Sequence, residues 1–595
     1  ANHNLQQDYL RGGQRMTLLP LDIPPGIVKV DSPNAAKGRY TDSDKIRFIR
    51  GRPEKWRGWV KIVADQMLGK ARGAVSWTNR FGNTNAAFGT NRRLYAFIGG
   101  DTLENITPMR ATGVSLGADP FEVEEDSTIV RVTHVEHGAD AGAFVTFSGA
   151  VSVGGITVDG EYEIIEVIDA NTYTIEHSTP ANANATGGGN SVRADYELNP
   201  GQPDTVSGHG WGAGPWGEGT WGTERDTGID IDFRYWSLQE YGNELMASPS
   251  GGSLYLWEQQ TDDRAEHVTN APASARAMFV TGERFVFMLG TTSPMTVQWP
   301  DQDDPTDWTP TAANTANVRT LQVGSRLMNG VALVDGVSLV WTDIGVYVFQ
   351  YTGTDLVYDS RLAGTSCGLI GQHAFTKASG VAFWMSPQGF HMYVGGVQVI
   401  PNAEDVRAWV FRDIDPEQVL KTWCIYDQRN HQVRWHYCSR GATEPNRYVD
   451  VSLHDFSWTI GTLDRITGTL YRPSTGSSLL VSHDGYIYEH DIGTDADGQP
   501  LRATLTFGLY ALTRGERNVD IMGLIPDCER QSGYLKYTIF TKDWPNSPGI
   551  LDVQSVTLAP GDPEANLRVC GRFFSMEIES NQIGGDFRLG IPHLE

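Results

Sequence analysis

The chain has 595 residues, 40 % apolar and 20 % charged, with a formal net charge of −25. That length exceeds one ordinary hydrophobic core, so roughly two to four domains are expected. The acidity argues against a protein that clamps nucleic-acid phosphates, which needs a net basic face, but not against one past which DNA slides; plain solubility is the other reading of the charge.

From the start to about residue 72 the chain reads as extended with turns. The prolines in Leu18 to Gly26 (LLPLDIPPG) each restrict themselves and the residue before them, so no helix forms there. A locally basic stretch follows, with Arg39, Lys45, Arg47, Arg50, Arg52, Lys55 and Arg57 set against Asp42, Asp44 and Glu54. Two readings compete: a solvated or salt-bridged strand face, and a contact to an acidic neighbouring subunit.

Next comes a pattern that recurs along the chain: a short apolar run, a turn rich in Gly, Asn, Pro or Asp, and a second apolar run. Ala86–Gly89 is answered by Leu94–Phe97, Leu339–Trp341 by Val346–Phe349, Ala382–Met385 by Phe390–Tyr393, and Leu479–Val481 by Tyr486–Tyr488. Weaker copies centre near Gly251, Ser293 and Gly441. After the first copy the centres are spaced by roughly 40 to 50 residues, the period of a four-stranded propeller blade. Such a unit cannot bury its own faces and must stack on its neighbours, closing into a disc.

Between the first copy and the second, four β-rich runs (128–132, 144–147, 162–165 and 172–175) lie closer together than the blade period. They predict a small inserted β module, closed by the stretch from Ala181 to Gly189. A glycine and tryptophan tract follows, with Trp211, Trp216 and Trp221 each beside glycine. Stacked tryptophans suit sugars or bases; packing on the disc is the plainer reading. A short helix is expected at 403–412 with Asn402 as cap, and a second starting from Asp415 and Pro416. Beyond about residue 500 longer strands appear, and 572–579 alternates apolar and polar, so a terminal sheet layer is expected.

The chain therefore reads as all-β: a β-propeller of six or seven blades with an inserted small β-barrel or sandwich module and a C-terminal β-sheet layer. The expected divisions are an extended N-terminal segment contacting neighbouring subunits (1–72), a first blade region (73–118), the inserted module (119–200), the remaining propeller (201–500) and a C-terminal sandwich layer (501–595).

No catalytic constellation stands out. His134 and His137 lie three apart on strand and turn rather than helix, which points to a strand end rather than a metal site. The stretch Asp495 to Gly498 imitates part of a calcium loop but lacks its first and twelfth ligands. Asp301, Asp303, Asp304 and Asp307 read as a solvated acidic loop, and Ser482 to Gly485 as a turn. Paired carboxylates of a propeller glycosidase have no linear motif, and no nucleophile elbow or Walker loop is present. No catalytic residue, metal ligand or cofactor is assigned. The five cysteines lack CxxC spacing and read as buried thiols. No apolar signal region follows Ala1, and no run approaches the roughly 18 apolar residues of a membrane span, so a protein folded in a cytoplasm is expected.

Leu18 to Gly26, followed by Lys37-Gly38-Arg39-Tyr40, Arg47-Phe48 and Gly58-Trp59, resembles the nozzle or tail-hub proteins of short-tailed bacteriophages, a group that includes packaged-DNA stabilisation proteins. The tryptophan and glycine tract, Trp299 through Trp308, and Gly389 through Gly395 are similar to the same family, and the inserted module is similar to one in many phage structural proteins. The resemblance implies a homohexameric ring in the virion tail, made in the bacterial host cytoplasm and attached beneath the tail adaptor protein. It also implies a bound tail fibre or spike, a distal plug or needle, and double-stranded DNA passing without sequence-specific contacts. It supplies no catalytic residues. Six copies would place roughly −150 charges around the conduit, repelling phosphates rather than gripping them. The alternative is a propeller that binds or cleaves host glycans.

Overall fold

In the computed structural model, residues 10–11, 14–15, 18–29, 35–205, 209–210, 225–226, 232–259, 263–354, 356–472, 474–511 and 515–595 are described. The hairpins seen in the sequence become the middle two strands of seven four-stranded antiparallel sheets, arranged as the blades of a propeller. Blade 1 comprises Ala71–Thr78, Thr84–Thr90, Leu94–Ile98 and Thr102–Asn105. Blades 2 to 6 begin on the inner strands Trp236–Tyr241, Ala277–Val280, Leu327–Ala332, Phe375–Ala378 and Trp423–Asp427.

The middle strands were legible because they are sandwiched between neighbouring blades and buried on both faces. Val337–Thr342 and Gly345–Tyr351 are almost wholly buried. The outer strand Asn317–Thr320 alternates half-buried and exposed, and carries no such apolar signal. Large side chains fill the gaps between blades: Trp341 of blade 4 packs 5.6 Å from Trp384 of blade 5, and neither is exposed. Blade 1 approaches blade 2 so closely that a side chain at Gly89 would occupy the space of the Trp236 ring.

Blade 7 takes three strands, Thr467–Arg472, Ser477–Val481 and Ile487–His490, from the end of the repeat. Its fourth is Trp59–Lys61, which pairs Lys61 with Tyr488 and Trp59 with His490. The N-terminal region thus closes the ring.

The same region is woven into the C-terminal layer rather than standing apart as an extended arm. Leu19–Pro20 pairs with His593–Leu594, Tyr40–Asp44 with Ala503–Ala511, and Arg52–Lys55 meets Asp586–Leu589 at Arg588. Three sheets result, of four, five and four strands. The partners lie some 450 to 575 positions away in sequence, a pairing that local periodicity cannot reveal.

The inserted module is an eight-stranded sheet whose long strand Gly160–Asp169 pairs first with Phe144–Ser148 and then with Thr172–Glu176. It wraps a core of its own that includes Phe121, Val145, Ile164 and Tyr173. The module begins earlier than the sequence indicates: Met109–Ser115 enters beside the exit strand Arg193–Glu197. Adjacent entry and exit let the insertion sit in a blade connection without prising the disc open. Buried Glu197 ties it down, with Arg93 at 2.9 Å and Arg264 at 2.8 Å.

The helix spans Glu404–Asp413. Ala403 takes the cap position, while Asn402 instead donates to the Phe456 carbonyl. After Asp415 only a short 3-10 turn, Val419–Lys421, forms. Among the described residues no helix is long and apolar enough to cross a membrane.

Candidate functional site: a blind axial well

Each blade is a meander entered on its inner strand, so all seven inner strands run the same way and border the propeller axis. Apart from a bridge between His373 and Trp423, their axial edges have no strand partner among the described residues, which leaves backbone N–H and C=O groups facing the axis. Together they enclose a cavity of about 340 Å³.

Residues just before or at the start of these strands gather at one end, and there the sequence repeats a feature that a motif search misses. Arg72, Arg234, Arg276 and Arg326 occupy this place in blades 1 to 4, and His373, Lys421 and Arg465 in blades 5 to 7. The collar is largely neutralised from within the chain. Asp204 pairs with Lys421, Glu444 with Arg72 and Lys421, and Asp232 with Arg276 and Arg326. Burial first, and then Arg326, draws Arg276 down to about 10. Arg234 donates to the Asn199 carbonyl at 2.7 Å.

Inside the collar the well is stoppered. Phe233 and Tyr235 are both buried; Tyr235 accepts a hydrogen bond from Gln372 at 2.6 Å and meets the His373 ring edge-on. Burial pulls His373 down to about 4, against the carbonyls of Arg72 and Trp236, so the imidazole is neutral at pH 7. Glu240 and Lys377, both exposed, mark the opposite, open end.

The basic N-terminal residues divide. Arg47 is 2 % exposed and holds Asp491 at 3.1 Å, joining the layer to blade 7. Lys55 is fully buried, donating to the Gly585 carbonyl at 2.7 Å and the Ser580 hydroxyl at 3.2 Å, and burial lowers it to about 8. Both are buried and paired within the subunit. Lys45 pairs with Asp44, Arg52 with Asp22 and Arg39 with Asp405. Arg50 and Arg57 are exposed and, among the described residues, have no charged partner.

His134 bonds Tyr196 at 2.7 Å and His137 bonds the Asp169 carbonyl at 2.9 Å, so neither is arranged for metal. Asp301 accepts from the Thr315 backbone at 2.7 Å, bracing its loop. No cluster suited to a metal ion occurs among the described residues. Trp211, Trp216 and Trp221 lie outside the described residues. All five cysteines are unpaired.

No family model and no curated protein matches the chain. Among solved structures it is similar to streptogramin B lyase, at 9 % identity over 43 % of this chain and 92 % of that one, with a TM-score of 0.26. YCF48 bound to a D1 peptide matches at 10 % identity over 64 % and 97 %, with a TM-score of 0.27. The WD40 propeller domain of Doa1 matches at 12 % identity over 42 % and 88 %, with a TM-score of 0.24. The propeller assignment rests on the chain's own seven four-stranded sheets.

Proposed function

We propose that the chain is a structural subunit of a short-tailed phage virion tail, a nozzle protein that assembles as a homohexameric ring below the adaptor. On this reading the ring extends the DNA-ejection channel, retains packaged DNA and carries fibres or spikes, without catalysis. The observation that supports it most is the stoppered axis. A disc whose own hole is a blind well of about 340 Å³ offers no path to a DNA duplex, so a conduit has to lie between subunits. The formal charge of −25 per chain suits the wall of that conduit, since it repels phosphates. Exposed Arg50 and Arg57 remain available for a neighbouring acidic surface.

Negative-stain imaging and light scattering of the purified chain, alone and with its adaptor, test the proposal. Six-membered rings in either sample are the expected result. A monomer indifferent to other tail proteins would overturn it, and new reducing ends on incubation with host polysaccharide would favour the glycan reading instead.

A further inference from the structure

We propose that the blind axial well is a binding site for a small, neutral, polyhydroxylated molecule about the size of a single sugar unit. Its volume of about 340 Å³ lies at the lower end of the range of small-molecule pockets, roughly 300–1,000 Å³. The stopper makes it a pocket rather than a pore, because Phe233 and Tyr235 close the collar end.

The chemistry of the wall selects the ligand. Away from the His373–Trp423 bridge, the strand edges present backbone donors and acceptors that no strand among the described residues satisfies. Thr376 and Thr467 add hydroxyls. In the lining the Ser237 hydroxyl, on a residue 3 % exposed, is shielded from solvent and has no hydrogen-bond partner. The Ser237 hydroxyl can donate to a ligand or accept from it, whereas the His373 ring already lies against the Arg72 and Trp236 carbonyls. Buried polar groups of this kind carry a cost when unmatched, so a partner bearing several hydroxyls is the matching chemistry.

An anion fits poorly. Lys377 sits at the open end, and the collar cations lie beyond the stopper, already facing Asp204, Asp232 and Glu444. A wholly apolar ligand fits no better, since it would leave Ser237 and the free strand edges unmatched. The proposal does not depend on the nozzle reading, because the well is contained within one subunit.

The test is titration of the full chain with glucose, galactose, N-acetylglucosamine and glycerol, read by saturation-transfer NMR and calorimetry, with inorganic phosphate and benzoate as controls. At least one neutral polyol should bind saturably. Ser237→Val should weaken it by about tenfold, the equivalent of one lost hydrogen bond of about 1.4 kcal/mol. Thr376→Val, on the half-buried wall, serves the same purpose if the first variant does not fold. Asp204→Asn, on the collar side, should leave binding unchanged. The proposal fails if no polyol saturates, if phosphate or benzoate binds in their place, or if polyol binding ignores both wall substitutions. None of these outcomes bears on whether rings form.

Discussion

Replacing Arg47 with Met removes the cation that joins the C-terminal layer to blade 7. Arg47 is 2 % exposed; its guanidinium lies 3.1 Å from Asp491 and 3.5 Å from Glu54. Burial works against its charge, yet Asp491, Asp427 and Glu54 outweigh it and raise its proton affinity. Breaking a buried pair from one side costs about 3–5 kcal/mol, because the remaining carboxylates lose their compensation. The cost should depend on pH. Burial and then Asp491 already raise the Asp427 carboxyl above its ordinary value, while Arg434 and Arg47 hold it down. Without Arg47 that carboxyl rises further. A folded-state carboxyl raised above its unfolded value favours the folded state as pH falls, so the deficit of R47M relative to wild type should shrink from pH 7.5 to pH 5. The first urea transition, followed by tryptophan fluorescence, measures the deficit; limited proteolysis reports release of residues 501–595. Replacing both partners, Arg47→Met with Asp491→Leu, should recover most of the loss. A deficit under about 1 kcal/mol at pH 7.5, or one equal at both pH values, would refute the reasoning.

Gly58→Ala should weaken ring closure by about 1–3 kcal/mol, because a side chain there collides with the backbone of Asp495, and hydrogen exchange should rise along Trp59–Lys61 and Ile487–His490. His436 is fully buried, stacks on Trp423 at 4.2 Å and has both ring nitrogens unpartnered. Burial, then Arg434 and Arg465, depress its pKa, so its contribution is present above about pH 6.5 and lost as pH falls. His436→Phe should therefore hold stability at pH 7 and flatten the acid limb of a thermal-shift profile, whereas His490→Phe should destabilise at pH 7 because Arg465 donates to His490 at 3.1 Å. Glu197→Ala leaves Arg93 with Glu161 alone and deprives Arg264 of its carboxylate at the root of the module; it should cost about 3 kcal/mol and increase proteolysis around residues 109–111 and 193–198 without altering the module's own core.

How much could be read without coordinates follows from where each strand is buried. Val346–Phe349 and Phe390–Tyr393 announce themselves because both faces are covered, and their period places the blades. The inner strands vary: Phe375–Ala378 has one buried residue of four and Leu327–Ala332 five of six, so no single pattern marks the axis. The collar was present in the sequence as Arg72, Arg234, Arg276, Arg326, Lys421 and Arg465. Its spacing is irregular because the loops differ in length, and only the strand starts align it. Arg47 and Lys55 looked like surface cations because composition is silent on depth. The tell-tale was their neighbours: Ile46, Phe48 and Trp56 are all buried and draw the charged side chains inward with them.

The double use of the N-terminal region has a mechanical consequence. Trp59–Lys61 completes blade 7, while Arg52–Lys55, only a few residues earlier, is hydrogen-bonded into the C-terminal layer. The propeller therefore cannot close until the chain has been made as far as His490, and the layer cannot close until its last strands have joined the first. Between the two attachments Trp56 is gripped by blade 6, with Arg434 stacked at 3.8 Å and Tyr448 at 4.5 Å. Separating the layer from the propeller therefore means breaking the pairing of one of these two neighbouring strands. The strand that completes the propeller last is then the one that ties it to the layer.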